Sequence, residues 1–180
     1  AEGEVLQLMN AHDPDCTEER YFEVIYRKTA QLFEAGTQVA AILTDSPSHI
    51  EEAMTRYGRH LGTAFQLVDD ALDYRADRDA LGKNLGDDLA EGKPTLPLIY
   101  ALRNGTDEQR TLIRSSIENG STDALPQITA AIESTGGLAY TARLARQEAS
   151  LAIEALAVLP DSQYKQALRE LADFAVERTY

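Results

Sequence analysis

Apolar side chains recur at steps of three and four along nearly the whole chain, and no segment alternates convincingly between apolar and polar positions. The clearest series is Ile50, Met54, Tyr57, Leu61, Ala64, Val68 and Leu72. Steps of three and four place side chains on one face of an α-helix. The series therefore predicts a long helix over about residues 47–76, and the whole sequence predicts an all-α fold.

Capping residues and glycines predict the other helix boundaries. Thr17, with acidic residues after it, is a favourable N-cap for a helix reaching about Leu43, and Ser46 caps the next helix with Pro47 at its first position. The stretch Thr106–Gln109 is a capping box whose helix stops at Gly120. Further helices are predicted over about residues 2–9, 96–103, 122–135, 138–159 and 162–178, with a loop and a short turn over 75–94.

Composition narrows the classes of partner. The 180 residues suit one domain and carry 17 basic against 30 acidic side chains, a formal charge of −13. That balance argues against nucleic acid or an anionic membrane as the main partner, since both require a positive face. No apolar run approaches the roughly 20 residues of a membrane span. The single cysteine, Cys16, excludes an internal disulfide and is expected to be structural rather than nucleophilic.

An acidic group lies near the end of the long predicted helix. Helical geometry places Gln66, Asp69 and Asp73 on one strip with Asp70 to one side, and Gly62 leaves a gap one turn earlier. Aspartates are poor helix formers, repel one another at four-residue spacing and are disfavoured near a helix C-terminus. A divalent cation would offset these penalties, and an all-oxygen set suits Mg²⁺ or Mn²⁺. The alternative interpretation is a solvated acidic face.

Two further features carry positive charge. Lys28, followed by Thr29, lies within a predicted apolar stripe made by Tyr21, Val24, Ile25, Leu32 and Val39. It either borders a cavity that holds an anion or extends its ammonium group to water along the apolar surface. The loop from Gly82 to Thr95 adds Lys83 and Lys93 between glycines, although its spacing is not that of a P-loop. Carboxylates that hold Mg²⁺, together with lysines, would suit a diphosphate.

These motifs, in this order, resemble the C-terminal half of the trans-isoprenyl diphosphate synthases. The resemblance rests on Lys28–Ala30, Gly62–Tyr74, Gly82-Lys83 and Glu91–Leu98, and it extends from about Gly3 to the last helix. The sequences of residues 21–30 and 82–88 look most like those of the bacterial long-chain branch of the family, the octaprenyl diphosphate synthases.

The resemblance implies an all-α bundle of long helices around a central cavity. It also implies a Mg²⁺-dependent prenyltransferase that elongates an allylic diphosphate with isopentenyl diphosphate. The expected product is a long all-trans chain, octaprenyl diphosphate, for quinone side chains. The expected protein is a cytoplasmic homodimer without a membrane segment or nucleic-acid partner.

Residue roles carry over from the same motifs. The resemblance implies Mg²⁺ ligation, direct or through water, by Asp69 and Asp70, with Asp73 completing the metal motif in a supporting role. It implies contacts to the allylic diphosphate by Lys28, Thr29 and Gln66, and it assigns Lys83 and Lys93 as cations that assist the leaving diphosphate.

The family's first Asp-rich motif and its basic pocket for isopentenyl diphosphate are not found in these residues. We expect both upstream of Ala1, so that this chain is the C-terminal half of a synthase, is inactive alone and exposes apolar faces. Two alternatives stay open at this point: a non-catalytic synthase-like subunit, and a helical interaction protein with a solvated acidic face.

Overall fold

The computed structural model describes residues 2–75 and 85–177, and every regular element in these ranges is helical. The elements are α1 (Glu2–Asn10), α2 (Glu18–Ile25), a π-helical turn (Tyr26–Ala30), α3 (Gln31–Leu43), α4 (Ser48–Leu72), α5 (Asp87–Ala90), α6 (Leu96–Asn104), α7 (Asp107–Asn119), α8 (Leu125–Thr135), α9 (Gly137–Ala155), a 3₁₀ turn (Leu156–Val158) and α10 (Gln163–Glu177). The all-α prediction is confirmed. None of the described helices is both long and apolar enough to cross a bilayer.

Local capping signals set several boundaries as predicted. The Oγ1 of Thr17 accepts a hydrogen bond from the backbone N–H of Arg20 at 3.3 Å, at the start of α2. Thr106 and Gln109 form the complete capping box of α7. Gly120 ends that helix in the left-handed region, with φ of 59°, a conformation that glycine adopts without steric cost.

Other boundaries differ from the sequence prediction by a few residues. Helix α4 begins after Pro47, whose carbonyl accepts the N–H of Ile50 at 2.9 Å, so Pro47 rather than Ser46 precedes the helix. It ends at Leu72 because Asp73 leaves the helix, and the Asp73 carbonyl accepts the N–H of Gly86 at 3.1 Å. Helix α8 begins at Leu125 rather than 122, with Pro126 in its first turn, where no N–H is needed.

The predicted helix from 17 to 43 contains a π turn that the sequence did not reveal, and part of the predicted apolar stripe is wrong. Tyr21 and Ile25, before the turn, are buried, but Leu32 and Val39, after it, are 77 % and 49 % exposed. A π turn adds one residue to a helical turn and rotates the following face by about 100°. Ala41 is therefore buried beyond the turn instead.

The described residues form two compact units, each with its own apolar core. The first comprises the described parts of Ala1–Val24 and Asp69–Ala142, and the second those of Ile25–Val68 and Arg143–Tyr180. The first core includes Tyr74, Leu89, Leu98, Ile113, Ile117, Ile128 and Ile132. The second includes Tyr57, Leu61, Ala152, Ala155, Leu156, Ala172 and Ala175.

Large apolar side chains remain on the surface of both units. Leu32, Leu43 and Phe174 in the second unit are 77 %, 78 % and 59 % exposed, and Leu8 in the first is 73 % exposed. Single exposed apolar residues are ordinary. Of the four large apolar side chains that are exposed on α3, three nevertheless have at least half of their surface in solvent: Leu32, Ile42 and Leu43.

Candidate functional site

The three aspartates at the end of α4 differ in their exposure to solvent. Asp69 is partly exposed, whereas Asp70 and Asp73 are only 4 % and 1 % exposed. The interpretation of a solvated acidic face is therefore wrong for Asp70 and Asp73. Burying a carboxylate is costly unless hydrogen bonds compensate, so the partners of these two side chains define the local structure.

Asp70 is held by a buried tyrosine on α2. The Oη of Tyr21 donates a hydrogen bond to Oδ2 of Asp70 at 2.6 Å, although the two residues are 49 positions apart. Tyr21 is 5 % exposed. Burial raises the pKa of its hydroxyl well above the ordinary value, and the negative charge of Asp70 raises it further. Tyr21 therefore keeps its proton and acts as a donor to Asp70 at neutral pH.

Asp73 lies in the turn after α4 and holds the segment that follows. Its Oδ2 accepts the backbone N–H of Asp88 at 3.1 Å, at the first turn of the four-residue helix α5. The predicted strip of Gln66, Asp69 and Asp73 on one helix face is corrected by this geometry, because α4 ends one residue before Asp73. The Asp73 side chain is engaged with backbone instead.

Lys93 is drawn into the same local network. Its Nζ lies 3.1 Å from Oδ1 of Asp88 and 2.7 Å from Oε2 of Glu91. Partial burial lowers the pKa of Lys93, but the bond to Glu91 and the charge of Asp88 outweigh burial, so its pKa is raised overall. Lys93 therefore carries its charge at neutral pH. Asp88 links it to Asp73, because the Asp88 side chain pairs with Lys93 and the Asp88 backbone N–H donates to Asp73.

Lys28 and Thr29 lie in the π turn. The Oγ1 of Thr29 donates to Oε1 of Gln66 on α4 at 2.7 Å, which joins two of the predicted substrate contacts. Lys28 is partly exposed. Single π turns within α-helices are frequent at functional sites, and this one changes the direction in which consecutive side chains leave the helix.

The predicted gap at Gly62 is filled by helix packing. A Cβ at this position would lie 2.6 Å from the Cα of Ala30 and 3.1 Å from the Cβ of Phe33. Gly62 thus brings α4 close to the π turn rather than leaving space for a ligand. Arg59, one turn before Gly62 on α4, pairs with Glu34 through Nε to Oε2 at 2.7 Å.

The structure does not bring the three aspartates of the predicted metal site into one set. Within residues 2–75 and 85–177, no three Asp, Glu, His or Cys side chains converge so as to hold a metal ion. Asp69 and Asp70 supply carboxylate oxygens from consecutive positions of α4. Lys83, the other predicted cation, lies outside the described residues.

The family model described as polyprenyl synthetase matches residues 1–134. The chain belongs to the polyprenyl synthetase family. It is 54 % identical over 179 residues to the octaprenyl diphosphate synthase of Escherichia coli K12, covering 99 % of this chain and 55 % of that relative. It is 51 % identical over 178 residues to the geranyl-diphosphate-specific all-trans-nonaprenyl-diphosphate synthase of Rhodobacter capsulatus, covering 99 % and 54 %.

Solved structures of polyprenyl synthases share the fold. The crystal structure of polyprenyl synthase from Caulobacter crescentus CB15, complexed with calcium and isoprenyl diphosphate, matches with a TM-score of 0.93 at 42 % identity. The match covers 99 % of this chain and 55 % of that one. The chain thus spans about half the length of the curated relatives it matches. The family resemblance drawn from the motifs is confirmed.

Sequence reasoning missed two residues of the site. Tyr21 was assigned to an apolar stripe, and Asp88 to a loop. A tyrosine among aliphatic residues on a buried face was the available signal, because a buried hydroxyl usually finds a polar partner. The acceptor, Asp70, is too distant in sequence for spacing to reveal.

Proposed function

We propose that this chain is the C-terminal half of a trans-polyprenyl diphosphate synthase. The whole enzyme would elongate an allylic diphosphate with isopentenyl diphosphate. The observation that carries the proposal is the acidic group at the end of α4, in which Asp70 is buried and held by Tyr21 while Asp69 stays partly exposed. Family membership and the names of the relatives support the same reaction.

The donor set at the end of α4 fits a hard divalent cation. Asp69 and Asp70 offer oxygen ligands only, which Mg²⁺ prefers, and Mg²⁺ takes the rest of its shell from water or substrate phosphates. When bound, the ion would neutralise the charge that builds on the departing diphosphate. The calcium and isoprenyl diphosphate in the Caulobacter enzyme support this assignment by analogy.

The chain's own polar residues would hold and stabilise the diphosphate. Ionising an allylic C–O bond moves negative charge onto the leaving group, so cations and N–H donors there stabilise the transition state more than the ground state. We assign this role to Lys28, Lys83 and Lys93. Thr29 already binds the acceptor oxygen of Gln66, so the side-chain NH₂ is the group with which Gln66 would contact the diphosphate.

Lys93 contributes through a shared network. The pKa of Lys93 is raised, and its ammonium group lies beside the carboxylate of Asp88, whose backbone N–H donates to Asp73. Asp73 therefore has a supporting role: it fixes the start of α5 and, through Asp88, the ammonium group of Lys93. A diphosphate would compete with Glu91 and Asp88 for that ammonium.

We further propose octaprenyl diphosphate as the product, for quinone side chains, because of the 54 % identity to the Escherichia coli enzyme.

The whole protein is proposed to be a cytoplasmic homodimer. Exposed Leu32, Ile42 and Leu43 along α3 support the view that this half packs against further protein. The retained aspartates, Gln66 and lysines favour a catalytic chain over a non-catalytic subunit.

The test is a prenyl-transfer assay of the full-length enzyme with farnesyl and isopentenyl diphosphates and Mg²⁺, with product length measured by chromatography. Asp69→Asn and Asp70→Asn should each lower turnover steeply and raise the Mg²⁺ requirement. Asp107→Asn, which removes a carboxylate from an exposed pair with Arg110 on α7, is the matched control. The 180-residue chain alone should be inactive. Normal turnover by the two α4 variants, or prenyl product from the chain alone, would contradict the proposal.

A further inference from the structure

The hydrogen bond from Tyr21 to Asp70 is short and joins two buried side chains. Both side chains are at least 95 % buried, and the Oη to Oδ2 distance is 2.6 Å. Hydrogen bonds to an ionised carboxylate are short and about twice as strong as neutral ones. The donor comes from α2 and the acceptor from α4, so the bond fixes the carboxylate against a second element rather than against its own helix.

We propose that Tyr21 is a positioning residue that holds the Asp70 carboxylate in the orientation required to bind a divalent cation. The inference rests on the proposed function, because it takes Asp70 as a ligand. The hydroxyl of Tyr21 binds Oδ2 and thereby restrains rotation about the Cβ–Cγ bond, which also restricts the direction of Oδ1. A carboxylate that is already oriented loses less conformational entropy when it binds a cation.

A structural role alone makes a different prediction, and Tyr57 provides the comparison. Tyr57 is also a buried tyrosine, 1 % exposed, and its Oη donates to the carbonyl of Leu168 at 2.8 Å. Removing either hydroxyl leaves its acceptor oxygen short of one donor, which lowers stability in both cases. Only the loss at Tyr21 removes a hydrogen bond from a carboxylate of the proposed metal site.

The experiment compares Tyr21→Phe, Tyr57→Phe, Asp70→Asn and the double variant Tyr21→Phe/Asp70→Asn in the full-length enzyme. Mn²⁺ binding is titrated by electron paramagnetic resonance in the presence of inorganic pyrophosphate, and thermal unfolding is recorded without metal. Tyr21→Phe should weaken Mn²⁺ binding roughly tenfold or more, the usual cost of losing a residue that orients a metal ligand. Tyr57→Phe should lower the unfolding midpoint and leave Mn²⁺ binding unchanged.

The double variant separates orientation from general disturbance. If Tyr21 acts through Asp70, Tyr21→Phe adds no further loss of Mn²⁺ affinity once Asp70 is asparagine. Tyr21→Leu, which also lacks the donor, repeats the comparison if the phenylalanine variant does not fold.

Three results would overturn the inference. Wild-type Mn²⁺ affinity in Tyr21→Phe, with weakened binding in Asp70→Asn, would remove the positioning role and leave the proposed function standing. An equal loss of affinity in Tyr57→Phe would show an effect of stability alone. Unchanged affinity in Asp70→Asn would remove both the positioning role and Asp70 from the metal site.

Discussion

Replacing Gly62 with alanine tests whether α4 and the π turn must approach as closely as the structure shows. Within a helix, glycine to alanine normally stabilises by about 1 kcal/mol. At Gly62 the added Cβ would lie 2.6 Å from the Cα of Ala30 and 3.1 Å from the Cβ of Phe33. Carbon atoms prefer separations near 3.5–4.0 Å, so the two segments must move apart by about 1 Å.

The contact at 2.6 Å is with backbone, which cannot rotate away as a flexible side chain would. Overpacking of this kind costs about 1–3 kcal/mol, which outweighs the propensity gain. Gly36, in the middle of α3, is the matched control, since a Cβ there meets no atom of the described residues within 4 Å outside its own helix backbone and chain neighbours. Gly36→Ala should therefore stabilise by about 0.5–1 kcal/mol.

The assay is urea unfolding of the full-length enzyme followed by circular dichroism, together with the KM for the allylic diphosphate. We expect a lower unfolding midpoint and a raised KM for Gly62→Ala, because displacement of the π turn disturbs the bond from Thr29 to Gln66. Gly36→Ala should have a higher midpoint and an unchanged KM. If Gly62→Ala proved as stable as Gly36→Ala, the close packing inferred here would be refuted.

Three further predictions concern separate parts of the chain. Lys28→Ala should raise the KM for the allylic diphosphate in steady-state kinetics by the equivalent of about 1.5–3 kcal/mol, the scale of a lost charged hydrogen bond. The control Lys165→Ala, which removes an ammonium bound to Asp161, should leave this KM unchanged. A Lys28→Ala enzyme with the same KM as the Lys165→Ala control would contradict the assignment. Thr106→Ala should cost about 1 kcal/mol in urea unfolding through loss of the α7 capping box, without altering kinetics; a kinetic defect would argue against a purely local role. The hydrogen bonds from Arg59 hold the pKa of Glu34 below its ordinary 4.5, so this pair stabilises the folded state at neutral pH, and its contribution is lost as the pH falls through the lowered pKa. Arg59→Gln should therefore make the free energy of unfolding less dependent on pH in that acid range. An unchanged acid unfolding curve would refute the linkage.

Features governed by neighbouring residues were predictable from the sequence. The capping box at Thr106, the stop at Gly120 and the long apolar period of α4 each depend on contacts within a few residues, so spacing and side-chain chemistry suffice. The family motifs were equally readable, because their residues stand in order along the chain.

Features set by tertiary contacts were not predictable. The π turn has no local signature, and it changes which side chains of α3 are buried, so Leu32 and Val39 were misassigned. The missing side chain of Gly62 suggested space for a ligand, whereas the backbone of Ala30 packs against this position. The bonds from Tyr21 to Asp70 and from Asp88 to Asp73 join residues 49 and 15 positions apart, and no periodicity relates such distant positions.

The proposed metal and diphosphate site is best tested by a crystal structure of the full-length enzyme with Mg²⁺ and a thio analogue of farnesyl diphosphate that cannot ionise. We expect Mg²⁺ at about 2.1 Å from a carboxylate oxygen of Asp69 or Asp70, or from a water molecule that they bind. The same diphosphate should contact Lys28 and the side-chain NH₂ of Gln66. A diphosphate and metal bound elsewhere, with Asp69 and Asp70 in contact with neither, would contradict it.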